Sequence, residues 1–301
     1  MKKLILTYLK GVAMGASDVV PGVSGGTIAL ITGIYERLLS AIKSINISNL
    51  KLFFTGQFKL FWRNIDGNFL LTLFAGIATS FLLLAKLITY LIITYPALVW
   101  AFFFGLIVAS TVFVGKNVKW NWKTIISFVV FAVLSFWITS PENIPLSPES
   151  EWWFIFICGM IAICAMILPG ISGSFILVLL GQYFYIMQAL SDMNWMVLLI
   201  FMGGAVIGIL TFANVLSWLF KHFEMITLAA LTGFMFGSLN KIWPWKHTLS
   251  TYVDSHGITM PLTQKNILPQ TFDMNVVYAL LLIAVGMAII FVIQGIANRL
   301  K

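Results

Sequence analysis

A chain of 301 residues that is 60% hydrophobic and only 9% charged, with 26 Phe and 11 Trp, has too little polar surface to live in water. Composition therefore excludes a soluble globular protein and points to an integral membrane protein. The formal charge of +8 does not mark a nucleic-acid binder, because the basic residues lie in the connections between apolar segments, where they report orientation and contact with anionic lipid.

In chain order, Met1-Lys2-Lys3 opens an apolar run with no small-residue cleavage site behind it, so it reads as the mature start rather than a signal peptide. Residues 11–35 contain Pro21-Gly22-Val23-Ser24-Gly25-Gly26, a cluster of helix breakers inside an apolar stretch. Residues 50–65 mix Phe53, Phe54, Phe58, Phe61 and Trp62 with Lys51, Lys59 and Arg63, the pattern of an amphipathic helix on the membrane surface. Apolar crossings are expected at 69–93 and 97–114, which close a first repeat over 1–123. A short linking crossing follows at 124–139, with Trp120 and Trp122 at its interfacial end. Residues 159–187 then carry Pro169-Gly170-Ile171-Ser172-Gly173-Ser174, the first motif written again 148 residues later. Gly11, Gly33 and Tyr35 recur at the same spacing as Gly159, Gly181 and Tyr183. Crossings at 197–219 and 226–243 complete a second repeat over 159–243, and Gly76 and Gly105 match Gly204 and Gly233 at an offset of 128. Trp243-Pro244-Trp245 begins a polar outer loop, 244–274, and a terminal crossing spans 275–296. Cys158 and Cys164 fall out of phase on one helical segment and read as buried thiols without a disulfide.

Charge decides whether each motif region crosses or turns back. If both are re-entrant hairpins of two half-helices and the N-terminus is cytoplasmic, most of the 18 basic residues lie inside, and only Lys241, Lys246 and Lys265 face outward. Full crossings would instead move Arg37 to Arg63 and Lys116 to Lys123 outside, against the positive-inside rule. Three crossings then separate the hairpins, an odd number that inverts the second copy. The expected fold is an all-α integral membrane transporter of inverted repeats, with two re-entrant helical hairpins, about six full crossings and both termini inside.

Proline lacks an N–H and glycine tolerates positive φ, so Pro21-Gly22 and Pro169-Gly170 are the expected hairpin turns. Ser24 and Ser172 are placed to cap the half-helices that follow. The amides near Ser24, Gly25, Gly26 and Thr27, and near Ser172, Gly173 and Ser174, are the candidate binding site for a phosphate or carboxylate at two converging helix N-termini. Glycines that only permit tight packing are the plainer explanation of a single motif; the inverted duplication argues against it. Asp18, three residues before Pro21, reads either as a coupling residue, as a structural group bonding the hairpin backbone, or as a substrate contact. Glu36 is a second coupling or gating candidate. Arg37 and Lys86 are candidate headgroup contacts, against an inside anchor for the first and snorkelling to the interface for the second. Asn214 and Asn240 either line a cavity or bond neighbouring helices. His247 and His256 have no companion ligands, so no metal site and no cofactor are expected.

The run Gly15-Ala16-Ser17-Asp18-Val19-Val20-Pro21-Gly22-Val23-Ser24-Gly25-Gly26-Thr27, with Gly33-Ile34-Tyr35-Glu36 behind it and the second motif at 169–174, closely resembles the DUF368 family of bacterial and archaeal membrane proteins. The resemblance covers essentially the whole chain. It implies a flippase that returns polyprenyl phosphate, undecaprenyl phosphate above all, from the outer to the inner leaflet of the bacterial cytoplasmic membrane for reuse in cell-wall and surface-glycan synthesis. The expected partners are that lipid and anionic membrane lipids; coupling to H+ or Na+ and the oligomeric state stay open. A secondary transporter of a small anion is the alternative. An enzyme is not expected, since the crossings hold neither His nor paired carboxylates.

Overall fold

The computed structural model describes residues 2–18, 24–140, 151–170, 172–253, 259–269 and 271–299; within these ranges several side chains, Lys86 among them, are outside the described set. Helix α1 (Lys2–Asp18) precedes the first motif and α2 (Gly25–Ile31) follows it, with α3 (Tyr35–Lys43) turning away at Gly33, whose φ is 70°. The surface segment forms two short helices, α4 (Ile47–Phe54) and α5 (Phe58–Asn64), instead of the single helix expected over 50–65. Gly56, at φ 79°, ends α4 in the left-handed conformation and breaks the run. The aromatic content still works as one unit, because the Phe53 ring meets Phe54, Phe58 and Phe61 edge-on.

Four helices follow: α6 (Gly67–Thr94), α7 (Pro96–Lys116), α8 (Trp122–Ile138) and α9 (Trp152–Ile167). Pro96 sits at the first turn of α7, where its missing N–H costs nothing, and Asn121 opens α8 with a capping box shared with Thr124. After the second motif come α10 (Gly173–Leu179), α11 (Tyr183–Ser191) and α12 (Trp195–Ser238). The 44 residues of α12 are two helical stretches meeting at a kink, where Phe223 leaves helical geometry at φ −139° and ψ 43°. The outer loop expected over 244–274 contains an antiparallel ribbon, β1 (Lys246–Val253) and β2 (Thr259–Asn266), ahead of α13 (Met274–Arg299). Thr, Ser, Gln and Tyr alternate there without a helical apolar face, which is why the ribbon forms and why hydropathy read the segment only as polar. The architecture is that of a multi-pass, all-α membrane protein with one small β ribbon. Among the described residues, α7, α12 and Met274–Val292 of α13 are the three helices long and apolar enough to cross a bilayer by length and composition.

Small residues set the helix pairing. Gly11 of α1 lies against the Leu73 carbonyl and the Gly76 Cα of α6, while Gly159 of α9 and Gly204 of α12 pack on each other's helix at Phe201 and Phe156. The positions that match between the two halves of the sequence thus occupy like contacts, backbone against backbone, where a Cβ does not fit. Beyond these pairs, α13 packs on α7 and α8 packs on the second part of α12. Ser127 and Ser135 of α8 donate to the carbonyls of Ile226 and Phe234, supplying the polar contacts of that seam.

Candidate functional site

The two motif regions meet in the middle of the bundle. Pro169 cannot continue α9, so the helix ends with its last carbonyls unpaired in an apolar surround, and Gly170 turns the chain at φ 87°. Groups of the first motif region take over the missing bonds. Ser24 Oγ donates to the Met166 carbonyl at 3.1 Å, and Tyr35 Oη donates to the Ile167 carbonyl at 3.1 Å. In return the Gly170 N–H donates to Thr27 Oγ1 at 3.1 Å. Ser24, Thr27 and Tyr35 are buried, and Gly26 packs directly on the Ile167 carbonyl with no room for a side chain. Pro21 and Gly22, the other expected turn, lie outside the described residues.

The two tips differ in how their amides are satisfied. At the first tip, Gly25 N–H donates to Asp18 Oδ1 at 2.7 Å, Gly26 N–H to Ser24 Oγ at 3.1 Å, and Thr27 N–H to the Ser24 carbonyl at 3.0 Å. The amides expected to be free for an anion at Gly25, Gly26 and Thr27 therefore already hold protein oxygens. The physical reason is Asp18: its carboxylate, at the end of α1, takes the N1 amide of α2, in keeping with its structural reading. At the second tip Ser172 occupies the cap position, but its hydroxyl pairs with Ser174 Oγ at 2.8 Å instead of capping α10. Among the described residues, the N–H groups of Gly173, Ser174 and Phe175 have no protein acceptor. The position matching Asp18 is Met166, which offers no carboxylate.

The remaining candidates lie apart from the tips. Glu36 is exposed in a pocket of about 350 Å³ with Ser40, Ser217, Lys221 and Glu224, next to the kink of α12. Arg37 makes a two-pronged pair with Asp66, at 2.7 and 3.1 Å, and its guanidinium lies 4.2 Å from the Phe69 ring centre. Lys86 belongs to α6, and its side chain is outside the described residues. Asn214 donates to the Leu210 carbonyl of its own helix, whereas Asn240 joins Ser140 after α8 to Asn266 of the ribbon.

Two lysines that the sequence marked only as outward-facing, Lys241 at the end of the crossing expected over 226–243 and Lys246 in the outer loop, lie close to the second tip. The Gly170 turn packs against Met235 and Ser238 at the end of α12, and Lys241 follows in the turn beyond that helix. Lys241 Nζ lies 4.0 Å from the ring centre of Phe175, the third residue of α10, and Lys246 Nζ lies 3.9 Å from that of Trp100 while donating to the Lys241 carbonyl. Burial lowers the Lys241 pKa from 10.5 to about 8, and burial together with the neighbouring Lys241 charge holds Lys246 well below the usual lysine value. The available signal was that these are two of the three basic residues the positive-inside count left outside. Along α7 an apolar cavity of about 420 Å³ is lined by Tyr95, Leu98, Val99, Phe102 and Phe103, together with Ala16 of α1 and Leu282 of α13.

With this geometry in hand, comparison with known proteins is decisive for the family. The profile described as VCA0040-like, undecaprenyl phosphate translocase-like, matches residues 14–260, from before the first motif through the second and into the ribbon. A protein of Vibrio cholerae serotype O1 named polyprenyl-phosphate transporter is 49% identical over 268 residues, which cover 89% of this chain and 86% of that protein. A Staphylococcus aureus protein of the same name is 33% identical over 257 residues, 79% of this chain and 86% of its own. No solved structure matches the chain. The resemblance carried by the two Pro-Gly motifs is borne out, and the chain belongs to the VCA0040-like family of undecaprenyl phosphate translocase-like proteins.

Proposed function

We propose that this protein translocates polyprenyl phosphate, with undecaprenyl phosphate as its physiological form, from the outer to the inner leaflet of the bacterial cytoplasmic membrane. The family and both relatives support transport of this lipid carrier rather than catalysis. The observation that carries the mechanism is the mutual bonding of the two broken helices through Ser24, Thr27, Tyr35 and Gly170. A phosphate head cannot cross about 30 Å of hydrocarbon unaided, whereas an isoprenoid tail can stay in lipid throughout. The protein therefore has to shelter only the head.

In this reading the tips are oppositely inserted re-entrant hairpins of an inverted repeat, α1–α2 from inside and α9–α10 from outside. The exchanged packing of α13 on α7 and α8 on the second part of α12 supports one crossing more per repeat than the sequence matching found, the linking and terminal crossings being counterparts. The phosphate seat is the second tip, at the amides of Gly173, Ser174 and Phe175 that follow the Ser172 cap, while Asp18 and Ser24 hold the first tip as a rigid abutment. The tail leaves along the apolar cavity beside Tyr95, Val99 and Phe102. Relative rocking of the repeats breaks the bonds between the tips on one side and opens the seat to the other leaflet, where Arg37 and the Lys59–Arg63 surface receive anionic headgroups.

The test is reconstitution in liposomes with a fluorescent polyprenyl phosphate in one leaflet and an impermeant quencher outside. Protein should raise the leaflet exchange rate well above that of empty liposomes, and Ser172→Trp should abolish the gain while leaving the protein folded and inserted. Exchange no faster than in protein-free liposomes overturns the proposal.

A further inference from the structure

Lys241 and Lys246 present an electrostatic problem. Both ammonium groups are turned inward, each over an aromatic ring that is itself almost fully covered, Phe175 at 6% exposure and Trp100 at 7%. Among the described residues no carboxylate lies within salt-bridge distance of either; the ion pair found there is Arg37–Asp66. An aromatic face attracts a cation, but the two rings do nothing to relieve the repulsion between neighbouring like charges drawn out of water. An arriving divalent anion does both: it neutralises the pair and replaces the lost hydration with charge-assisted hydrogen bonds.

We propose that Lys241 and Lys246 form a receiving site for a phosphate monoester head on the ribbon side of the second hairpin, and that the ligand is the prenyl phosphate lipid itself. This deepens the transport reading and rests on it. Three features fix the ligand. Two adjacent cations suit a phosphate monoester, a dianion near neutral pH, better than a singly charged carboxylate. Trp100, which lies under Lys246, and the cavity-lining Val99 are consecutive residues of α7, so the lysine site and the wholly apolar cavity lie at the same level of that helix. A ligand bound by both has a phosphate at one end and hydrocarbon at the other. Finally, Lys246 and Asn266 tie the ribbon to the end of α12 through the carbonyls of Lys241 and Asn240, so ligand binding at the lysines acts on the contact between ribbon and bundle.

The direct test is equilibrium binding of radiolabelled farnesyl phosphate to the purified full-length protein in detergent, with Lys241→Gln, Lys246→Gln, the double variant and Lys241→Arg. Each Gln variant should bind about tenfold or more weakly, and Lys241→Arg should stay close to wild type. Equal binding by the double Gln variant overturns this inference and leaves the transport reading standing. Failure of the wild type to bind farnesyl phosphate while leaflet exchange in liposomes persists also overturns this inference, and loss of both binding and exchange overturns the transport reading. Inorganic phosphate should compete only at concentrations far above those of farnesyl phosphate; competition at equal concentration assigns the site to the free anion and overturns the lipid assignment. A second measurement needs no substitution. Acylation of wild-type Lys241 and Lys246 by an amine reagent, read by mass spectrometry, should slow in the presence of farnesyl phosphate, and an unchanged rate overturns the proposal.

Discussion

Thr27→Val isolates the bond between the tips. Thr27 is fully buried at 0% exposure, and its Oγ1 is the acceptor found for the Gly170 N–H, at 3.1 Å. Valine fills nearly the same volume, so the change removes an acceptor without opening a cavity. The Gly170 N–H is then left in an apolar interior, at a cost of about 1–3 kcal/mol. That cost falls only on states in which the tips touch, so the same 1–3 kcal/mol shifts the balance between joined and separated tips by roughly 5- to 150-fold. Thermal unfolding in detergent should show a melting temperature lowered by several degrees. Thr32→Val is the matched control, because Thr32 Oγ1 donates to the Ile28 carbonyl of its own helix and makes no bond to the second half. Its melting temperature should stay near wild type. Equal melting of wild type, Thr27→Val and Thr32→Val would refute the claim that the tips hold each other.

Four further outcomes are expected. Gly26→Ala should destabilise more than Gly25→Ala, because a Cβ at 26 meets the Ile167 backbone carbonyl while one at 25 meets the Asp18 carboxylate at 2.5 Å, a side chain that can move; the yield of monodisperse protein reports the difference. Asp18→Asn should retain transport, since an amide oxygen still accepts from Gly25 N–H, whereas Asp18→Ala should lose folded protein; loss of transport alone in Asp18→Asn would return Asp18 to a coupling role. Affinity for farnesyl phosphate should fall as pH rises above about 8, where free Lys241 loses its proton, and Lys241→Arg should flatten that fall. The unliganded protein behaves oppositely. Its Lys241 pKa is lower than in the unfolded chain, so the unfolded state binds more protons between about 8 and 10.5, and stability rises with pH through that window.

Hydropathy, helix breakers and loop charge made the fold legible to within a few residues at α6, α7, α8, α12 and α13, because each is a long apolar run bounded by a polar or interfacial residue. The break at Gly56 escaped it because the amphipathic pattern of 50–65 runs through the glycine, and the strands Lys246–Val253 and Thr259–Asn266 escaped it because their polarity carries no helical period. The duplicated motif disclosed where the two halves meet. It could not disclose that Asp18 satisfies one tip and leaves the other open, because that difference turns on the side chain at one non-matching pair, Asp18 and Met166. The Tyr35–Ile167 bond joins residues 132 positions apart and is invisible to any local pattern. Lys241 and Lys246 were visible as exceptions to the charge rule; their inward course over Phe175 and Trp100 required the folded chain.

The most direct test of the central claim is a cryo-EM structure of the protein with undecaprenyl phosphate bound. The account predicts phosphate density within hydrogen-bond reach of the Gly173–Phe175 amides or the Lys241 ammonium group, with the tail against Tyr95 and Val99. Phosphate density remote from both the Gly173–Phe175 amides and Lys241, while Ser24 and Thr27 still bond Met166 and Gly170, would contradict it.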